Sequence, residues 1–226
     1  MAENPLLPHR KLQELYRLVE RCSKLEKKQM PGGREAILAA TTIHLQPGDL
    51  LSHLHTDFSA EEVAPLSRAA ISDDYTPKAS RLIVDAATAR GFRRAGTQSL
   101  VLAYAEAATL EDGWGEALAF AQTERLPFVL FVADRNSRSI KPKALNWANV
   151  SPLCKKLQLP TLSVDGEDAV AVFRVMQECA LRARTGLGPA VAWAMLSPAG
   201  TRRTVATSPL SRLKRYMAQR EIPLPR

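Results

Sequence analysis

Along residues 9–29 apolar side chains return every three or four positions. Leu12, Leu15, Val19 and Cys22 mark one face, with Arg10, Lys11, Glu14, Arg17 and Arg21 around it. That spacing predicts an amphipathic helix. Pro31-Gly32-Gly33 interrupts it. A second helical stretch runs from about Arg34 to Leu45 and is stopped by Pro47-Gly48-Asp49. Residues 50–78 hold only short apolar pieces, together with Asp73-Asp74 and Pro77, and read mostly as loop. A helix from about Ala79 to Arg90 follows, with Leu82, Ile83, Ala86 and Ala87 as its apolar side and Gly91 as its end.

From there strand and helix alternate. Ser99 to Ala103 and Phe128 to Ala133 are short apolar runs, the pattern of strands buried on both faces. Leu162-Ser163-Val164, entered from Pro160, and Ala190 to Met195 predict two more. Helices are predicted at Gly113–Glu124, Glu167–Arg184 and Pro209–Arg220, the second with Val170, Phe173, Val175, Met176 and Ala180 facing a core. Alternation of this kind implies right-handed crossovers and an α/β fold: a mostly parallel sheet with helices on both faces. Ligands of such sheets sit beyond the carboxyl ends of the strands. The segments to watch are therefore Tyr104–Asp112, Asp134–Lys143, Asp165–Asp168 and Ser197–Arg203.

Composition adds limits. A chain of 226 residues is long enough to bury a substantial core, and it reads as one domain: N-terminal helices at 9–45, an α/β core at about 79–196 and a basic C-terminal helix at 208–221. Cys22, Cys154 and Cys179 are odd in number and widely spaced, so free thiols are expected rather than a disulfide framework or a zinc site. The N-terminus lacks a basic stretch followed by an apolar run, and the longest apolar stretch, Ala190 to Leu196, is too short to span a bilayer. A cytoplasmic protein with no membrane partner is expected. The net charge is +8, and at the C-terminal end Arg202, Arg203, Arg212, Lys214, Arg215, Arg220 and Arg226 meet only Glu221. Such a face suits an acidic partner surface or nucleic acid. Aromatic interleaving for base stacking is sparse, so nucleic acid is the weaker of the two. His53 and His55 could share a strand face, but no acidic or cysteine ligand cluster adjoins them.

Several short motifs, in order, resemble the α subunit of the thiamine-diphosphate-dependent first component of 2-oxo acid dehydrogenases. Glu14-Leu15-Tyr16-Arg17 resembles that family's first helix. Gly33-Arg34-Glu35-Ala36 followed by Leu45-Gln46-Pro47-Gly48-Asp49 is similar to its Gly-Gln-Glu-Ala helix ending in Arg-Pro-Gly-Asp. Val164-Asp165-Gly166-Glu167-Asp168 matches its Val-Asp-Gly-Asn-Asp turn. Gly186-Leu187-Gly188-Pro189 and the helix with Pro209-Leu210, Arg212-Leu213 and Tyr216-Met217 continue the series to the end of the chain. The resemblance implies the family's thiamine-diphosphate-binding fold, thiamine diphosphate and Mg²⁺ as cofactors, a β subunit as partner (or self-association), and a 2-oxo acid as substrate if the protein is active.

The same resemblance locates the candidate site. The family's Gly-Asp-Gly-Ala-Thr-Ser-Glu-Gly segment is replaced here by Ala105-Glu106-Ala107-Ala108-Thr109-Leu110-Glu111-Asp112, although the following Glu116-Ala117-Leu118-Ala119-Phe120-Ala121 is kept. Glu106 takes the position of the metal-ligating Asp with one more methylene, which matters to an ion that demands short octahedral contacts. Ala105 and Ala107 add Cβ atoms where glycines let the backbone approach the diphosphate. The second metal ligand falls on Arg135 without a gap or on Asn136 with a one-residue slip. His55-Thr56-Asp57-Phe58 replaces a Tyr-Arg-Asp-His that helps to hold the diphosphate, and Ser197–Arg203 shortens a His-rich phosphate loop. The expected cofactor residues are thus His55, Glu106, Ala107 and Ala108, and the expected metal ligands Glu106 and Asn136. Three functions are compatible with this pattern: a degenerate α-like subunit with a structural or regulatory role, an active α subunit working with a β subunit, and a basic nucleic-acid-binding module on the same scaffold.

Overall fold

The computed structural model describes residues 7–29, 33–54, 70–72, 81–110, 113–135, 146–198 and 207–225. Helix α1 (His9–Gln29) and helix α2 (Glu35–Thr42) precede strand β1 (Leu50–Leu54) and the short strand β2 (Ala70–Ser72). Helix α3 (Arg81–Arg94), β3 (Val101–Glu106), α4 (Trp114–Thr123) and β4 (Phe128–Asp134) follow. The chain continues through α5 (Trp147–Lys156), β5 (Thr161–Asp165), α6 (Ala169–Arg184), β6 (Ala190–Met195) and α7 (Pro209–Ala218). All six strands are parallel, in the order β2-β1-β3-β4-β6-β5.

Alternating residues of the central strands feed two cores. Leu102, Tyr104, Phe131, Ala192 and Ala194 pack with α1, α2, α6 and α7. Val101, Ala103, Leu130, Val132 and Trp193 pack with α3, α4 and α5 on the opposite face. This is why β3, β4 and β6 read as unbroken apolar runs: both sides of each strand are covered by helices.

Three expectations need correcting. Within residues 50–78, read as mostly loop, Leu50–Leu54 and Ala70–Ser72 are strands, and the remaining residues lie outside the described ones. Leu50-Leu51-Ser52-His53-Leu54 pairs with β3 on one side and, through its first three residues, with β2 on the other, so its strand state rests on neighbours distant in sequence. Helix α3 passes through Gly91 to Arg94, and a Cβ at Gly91 would meet nothing, so this glycine ends no helix. The apolar stripe of α3 is also rotated. Ile83 is 48% exposed and Ala87 is exposed, whereas Asp85 is buried beside Leu82, Ala86 and Ala89. Asp85 is drawn inward by Arg81, whose Nε lies 3.6 Å from its carboxylate and donates to the Ser52 hydroxyl at 3.2 Å. Helix α5, which starts on the Asn146 cap and contains Pro152, was not expected.

The turn motifs turn out to be structural. Gly48 has φ of +93°, a region that side chains avoid, and its Cβ position would lie 3.0 Å from the Ser99 hydroxyl. Asp49 beside it is fully buried and accepts from the Gln46 and Leu100 amides at 2.7 and 2.9 Å. Asp165 accepts from the Glu167 amide, and Asp168 caps α6 by accepting from the Val170 and Ala171 amides. Gly166 lies where the β5–α6 turn passes under Leu196, Ile37 and Ala194, so an added Cβ would meet their atoms at 2.9, 3.1 and 3.2 Å. Gly166→Ala is expected to lower stability by about 1–3 kcal/mol through overpacking, read as a reduced urea midpoint with an unchanged slope.

Candidate functional site

The order in which strands are added reverses between β1 and β3: β2 lies on one side of β1, and the later described strands lie on the other. At such a switch point the two flanking connections leave in opposite directions and open a crevice at the carboxyl ends. Glu106 is the last residue of β3, next to that crevice. Along β3, Leu102 and Tyr104 face the α1–α2–α6–α7 core, and the twofold period of a strand puts Glu106 on the same side.

What meets Glu106 there is Arg34. Its Nε lies 3.1 Å from Glu106 Oε1, and the two side chains are 8% and 15% exposed. Arg34 takes the N-cap position of α2, where its side chain makes no cap bond, so the guanidinium is aimed at the strand end rather than at its own helix. Glu35 accepts from the Gly33 amide at 2.8 Å and shapes the turn that delivers Arg34. In the linear sequence Arg34 marks only the start of a helix. Its replacement of a neutral Gln at the same time as Glu replaced Asp was the signal for this contact.

The other strand ends carry their own pairings. Asp134, fully buried at the end of β4, accepts from the Trp193 indole at 2.8 Å. Arg135 donates to the Ser197 carbonyl at 3.3 Å, and the Ser197 amide donates to Glu167 at 3.0 Å. Arg212 on α7 reaches Asp165 at 2.8 Å and Asp168 at 3.5 Å, tying the C-terminal helix to the β5–α6 turn. Burial is the largest single influence on Arg212 and lowers its pKa, but Asp165, Asp168 and Glu167 together leave it raised.

Of the expected site residues, Glu106, Ala107 and Ala108 lie together at the end of β3. Ala107 is buried and Ala108 exposed, within a turn of 3₁₀ helix, Ala107–Thr109. Neither Ala105 nor Ala107 has positive φ, so this backbone suits ordinary side chains. His55 and Asn136 lie outside the described residues, as do Asp73-Asp74 and Arg202-Arg203.

The residues present do not fit a divalent metal at Glu106. The carboxylate already faces a cation and its extra methylene lengthens the reach, while Ala105 and Ala107 are buried in the core on the α3–α4–α5 side. Among the described residues no group of three His, Cys, Asp or Glu side chains could hold a metal ion.

The fold is the thiamine-diphosphate-binding α/β fold. Transketolase from Campylobacter jejuni superposes with a TM-score of 0.62 at 14% identity, over 92% of this chain and 42% of that one. An enzyme from Mycobacterium smegmatis assigned as thiamin diphosphate-dependent gives 0.52 at 15% identity, over 75% and 33%. Benzoylformate decarboxylase from Polynucleobacter necessarius gives 0.53 at 10%, over 71% and 32%.

Within that fold, the model of the dehydrogenase E1 component family matches residues 69–195, more than half of the chain, and the protein belongs to this family. It is 29% identical over 173 residues to the 3-methyl-2-oxobutanoate dehydrogenase subunit alpha of two Mycobacterium tuberculosis strains, covering 75% of this chain and 44% of theirs. The chain thus spans less than half the length of these relatives. No described helix is long and apolar enough to cross a membrane.

Proposed function

We propose that this protein is a divergent α-type subunit of a 2-oxo acid dehydrogenase in which the binding of thiamine diphosphate and Mg²⁺ is weakened or lost. Its role is then structural or regulatory, in a hetero-oligomer with a β-type subunit or by self-association. The observation that carries this reading is the Arg34 guanidinium set against Glu106. Anionic cofactors are held by jointly placed cations and backbone donors. Here the candidate metal carboxylate is engaged by a side chain of the same molecule, and alanines replace both neighbouring glycines. No step of 2-oxo acid chemistry is assigned to the chain on this arrangement.

The test is calorimetric titration with thiamine diphosphate and Mg²⁺, on the chain alone and mixed with a candidate β-type subunit. No heat of binding and an unchanged melting temperature are expected for the chain alone, and no gain beyond the β subunit's own binding in the mixture. Micromolar binding that requires this chain raises the melting temperature by mass action and returns the assignment to an active α subunit acting on a 2-oxo acid.

A further inference from the structure

We propose that α1 and α7 together form a docking surface for an acidic polypeptide segment of a partner protein. This goes beyond the reading above and stands whether or not the β3 crevice takes a cofactor.

Three observations carry the inference. The first is juxtaposition. Helix α1 packs on α7. Gln13 donates its side-chain amide to the Pro223 carbonyl at 3.0 Å, across 210 positions of sequence, and Ile222 is buried in the same core as Leu12 and Leu15. The basic C-terminal stretch is thereby laid beside the basic face of α1, and two separate clusters of cations become one. The second is pattern. Arg10, Arg17, Arg21 and Lys24 are all exposed, and helical spacing puts them in one row about 20 Å long. Lys214 joins them from α7, its ammonium 5.8 Å from the centre of the Tyr16 ring. Arg10, Lys11 and Arg17, with Gln13 and Glu14, line a cavity of about 470 Å³.

The third is unmet charge. Glu14 interrupts the row and is held by Lys11 at 2.8 Å, while Arg212 is held by Asp165 and Asp168. Among the described residues Arg10, Arg17, Arg21, Lys24, Lys214 and Arg220 form no ion pair, and Glu20 and Glu221 are outnumbered. Arg17 and Arg21 stand four apart, where like charges repel. The first turn of α1 holds no acidic residue, so Arg10 and Lys11 sit at the positive end of the helix dipole. Carboxylates of a partner laid along this row relieve both costs. The tyrosines favour a polypeptide over single-stranded nucleic acid. Tyr16 is buried beneath Lys214, and the Arg220 guanidinium lies 3.8 Å from the centre of the Tyr216 ring, so cations of this chain take the places where bases would stack.

The experiment titrates fluorescein-labelled decaglutamate with the full chain and reads anisotropy at low and high salt. Binding is expected at low salt and should weaken as salt rises. Arg17→Glu with Arg21→Glu is expected to weaken it at least about tenfold, and Lys214→Glu about threefold. Arg94→Glu with Lys155→Glu makes the same change in net charge at exposed positions on the opposite side of the sheet, and is expected to cost less than about twofold. All these variants should melt within about 3 °C of the unmodified chain, since the side chains are exposed. Should the reversal at residues 17 and 21 fail to fold, Arg17→Gln with Arg21→Gln takes its place, with about a threefold loss expected.

Absence of binding at low salt overturns the surface. Equal losses from the two double reversals overturn it as well, because net charge alone then explains the affinity. An affinity untouched by Lys214→Glu removes α7 and with it the joint surface. A labelled thymidylate decamer that binds more tightly than decaglutamate, and loses that affinity on reversal of residues 17 and 21, makes the face one for nucleic acid instead. None of these readings depends on thiamine diphosphate, so they are separable from failure of the functional assignment.

Discussion

Asp49→Ala is expected to cost about 3–5 kcal/mol, the range for stranding one member of a buried ion pair. Arg184, near the end of α6, reaches Asp49 with two guanidinium nitrogens at 2.8 and 2.6 Å and also donates to the carbonyls of Gln98 and His44 at 2.8 and 3.1 Å. The Asp49 carboxylate receives the Gln46 and Leu100 amides besides. One side chain thus joins the turn before β1, the entry to β3 and the end of α6. Its loss leaves a buried cation against carbonyls alone and two amides without an acceptor. At about 2–4 °C per kcal/mol for a protein of this size, the melting temperature should fall by roughly 10 °C. Arg184→Met in the same background should recover part of the loss, because it removes the stranded charge, whereas additive losses would show that the two residues act separately.

The second large effect is a change in how stability depends on pH. His44 packs on Phe173 with ring centroids 4.3 Å apart, and its Nε2 lies 3.0 Å from the Phe173 carbonyl, the contact of a neutral ring donating its N–H. Burial pushes its pKa down from 6.5 to about 4, the carbonyl contact opposing in part. A depressed imidazole contributes stability that is fully present above pH 6.5 and is lost as pH falls through about 4. Asp85 runs the other way. Burial raises its pKa from 3.8 to about 6 against the pull of Ser52 and Arg81. Its contribution is full below pH 3.8 and is lost as pH rises through about 6.

Between pH 4 and 6 the two slopes oppose and nearly cancel. His44→Gln, which keeps a donor for Phe173, should therefore gain about 2–3 kcal/mol relative to the unmodified chain as pH falls from 6.5 to 4. Asp85→Asn should lose a similar amount relative to it as pH falls from 6 to 3.8. Urea unfolding across this range checks both, and parallel curves for all three proteins would show that neither group is held out of water as the packing requires.

The elements that could be read from the sequence are those whose state is decided locally or by burial on both faces. Leu12, Leu15, Val19 and Cys22 declare α1 by spacing, and β3, β4 and β6 declare themselves by unbroken apolarity. The missed elements depend on partners far along the chain. Ser52 and His53 give β1 no strand signature, yet β3 pairs with every residue of it. Asp85 looks like a surface residue of α3 until Ser52 and Arg81 are placed beside it. The candidate site divides in the same way. Glu106 was legible because a motif surrounds it, and Arg34 was not, because nothing in the linear order brings residue 34 to residue 106. The motifs that carried the resemblance, Pro47-Gly48-Asp49 and Asp165-Gly166-Glu167-Asp168, are joints of the scaffold, held by the hydrogen bonds of Asp49, Asp165 and Asp168.

The strand order also governs how the molecule is assembled as it leaves the ribosome. Among the described strands β5 pairs only with β6, and β6 lies between β5 and β4. Without β6, strand β5 has no strand to pair with and β4 is left as an open edge of unpaired amides and carbonyls. The six residues Ala190–Met195 pair with β4 on one side and β5 on the other. Completion of the sheet waits for the last described strand of the chain, and a product truncated before residue 190 would present the apolar edge of β4 to other chains.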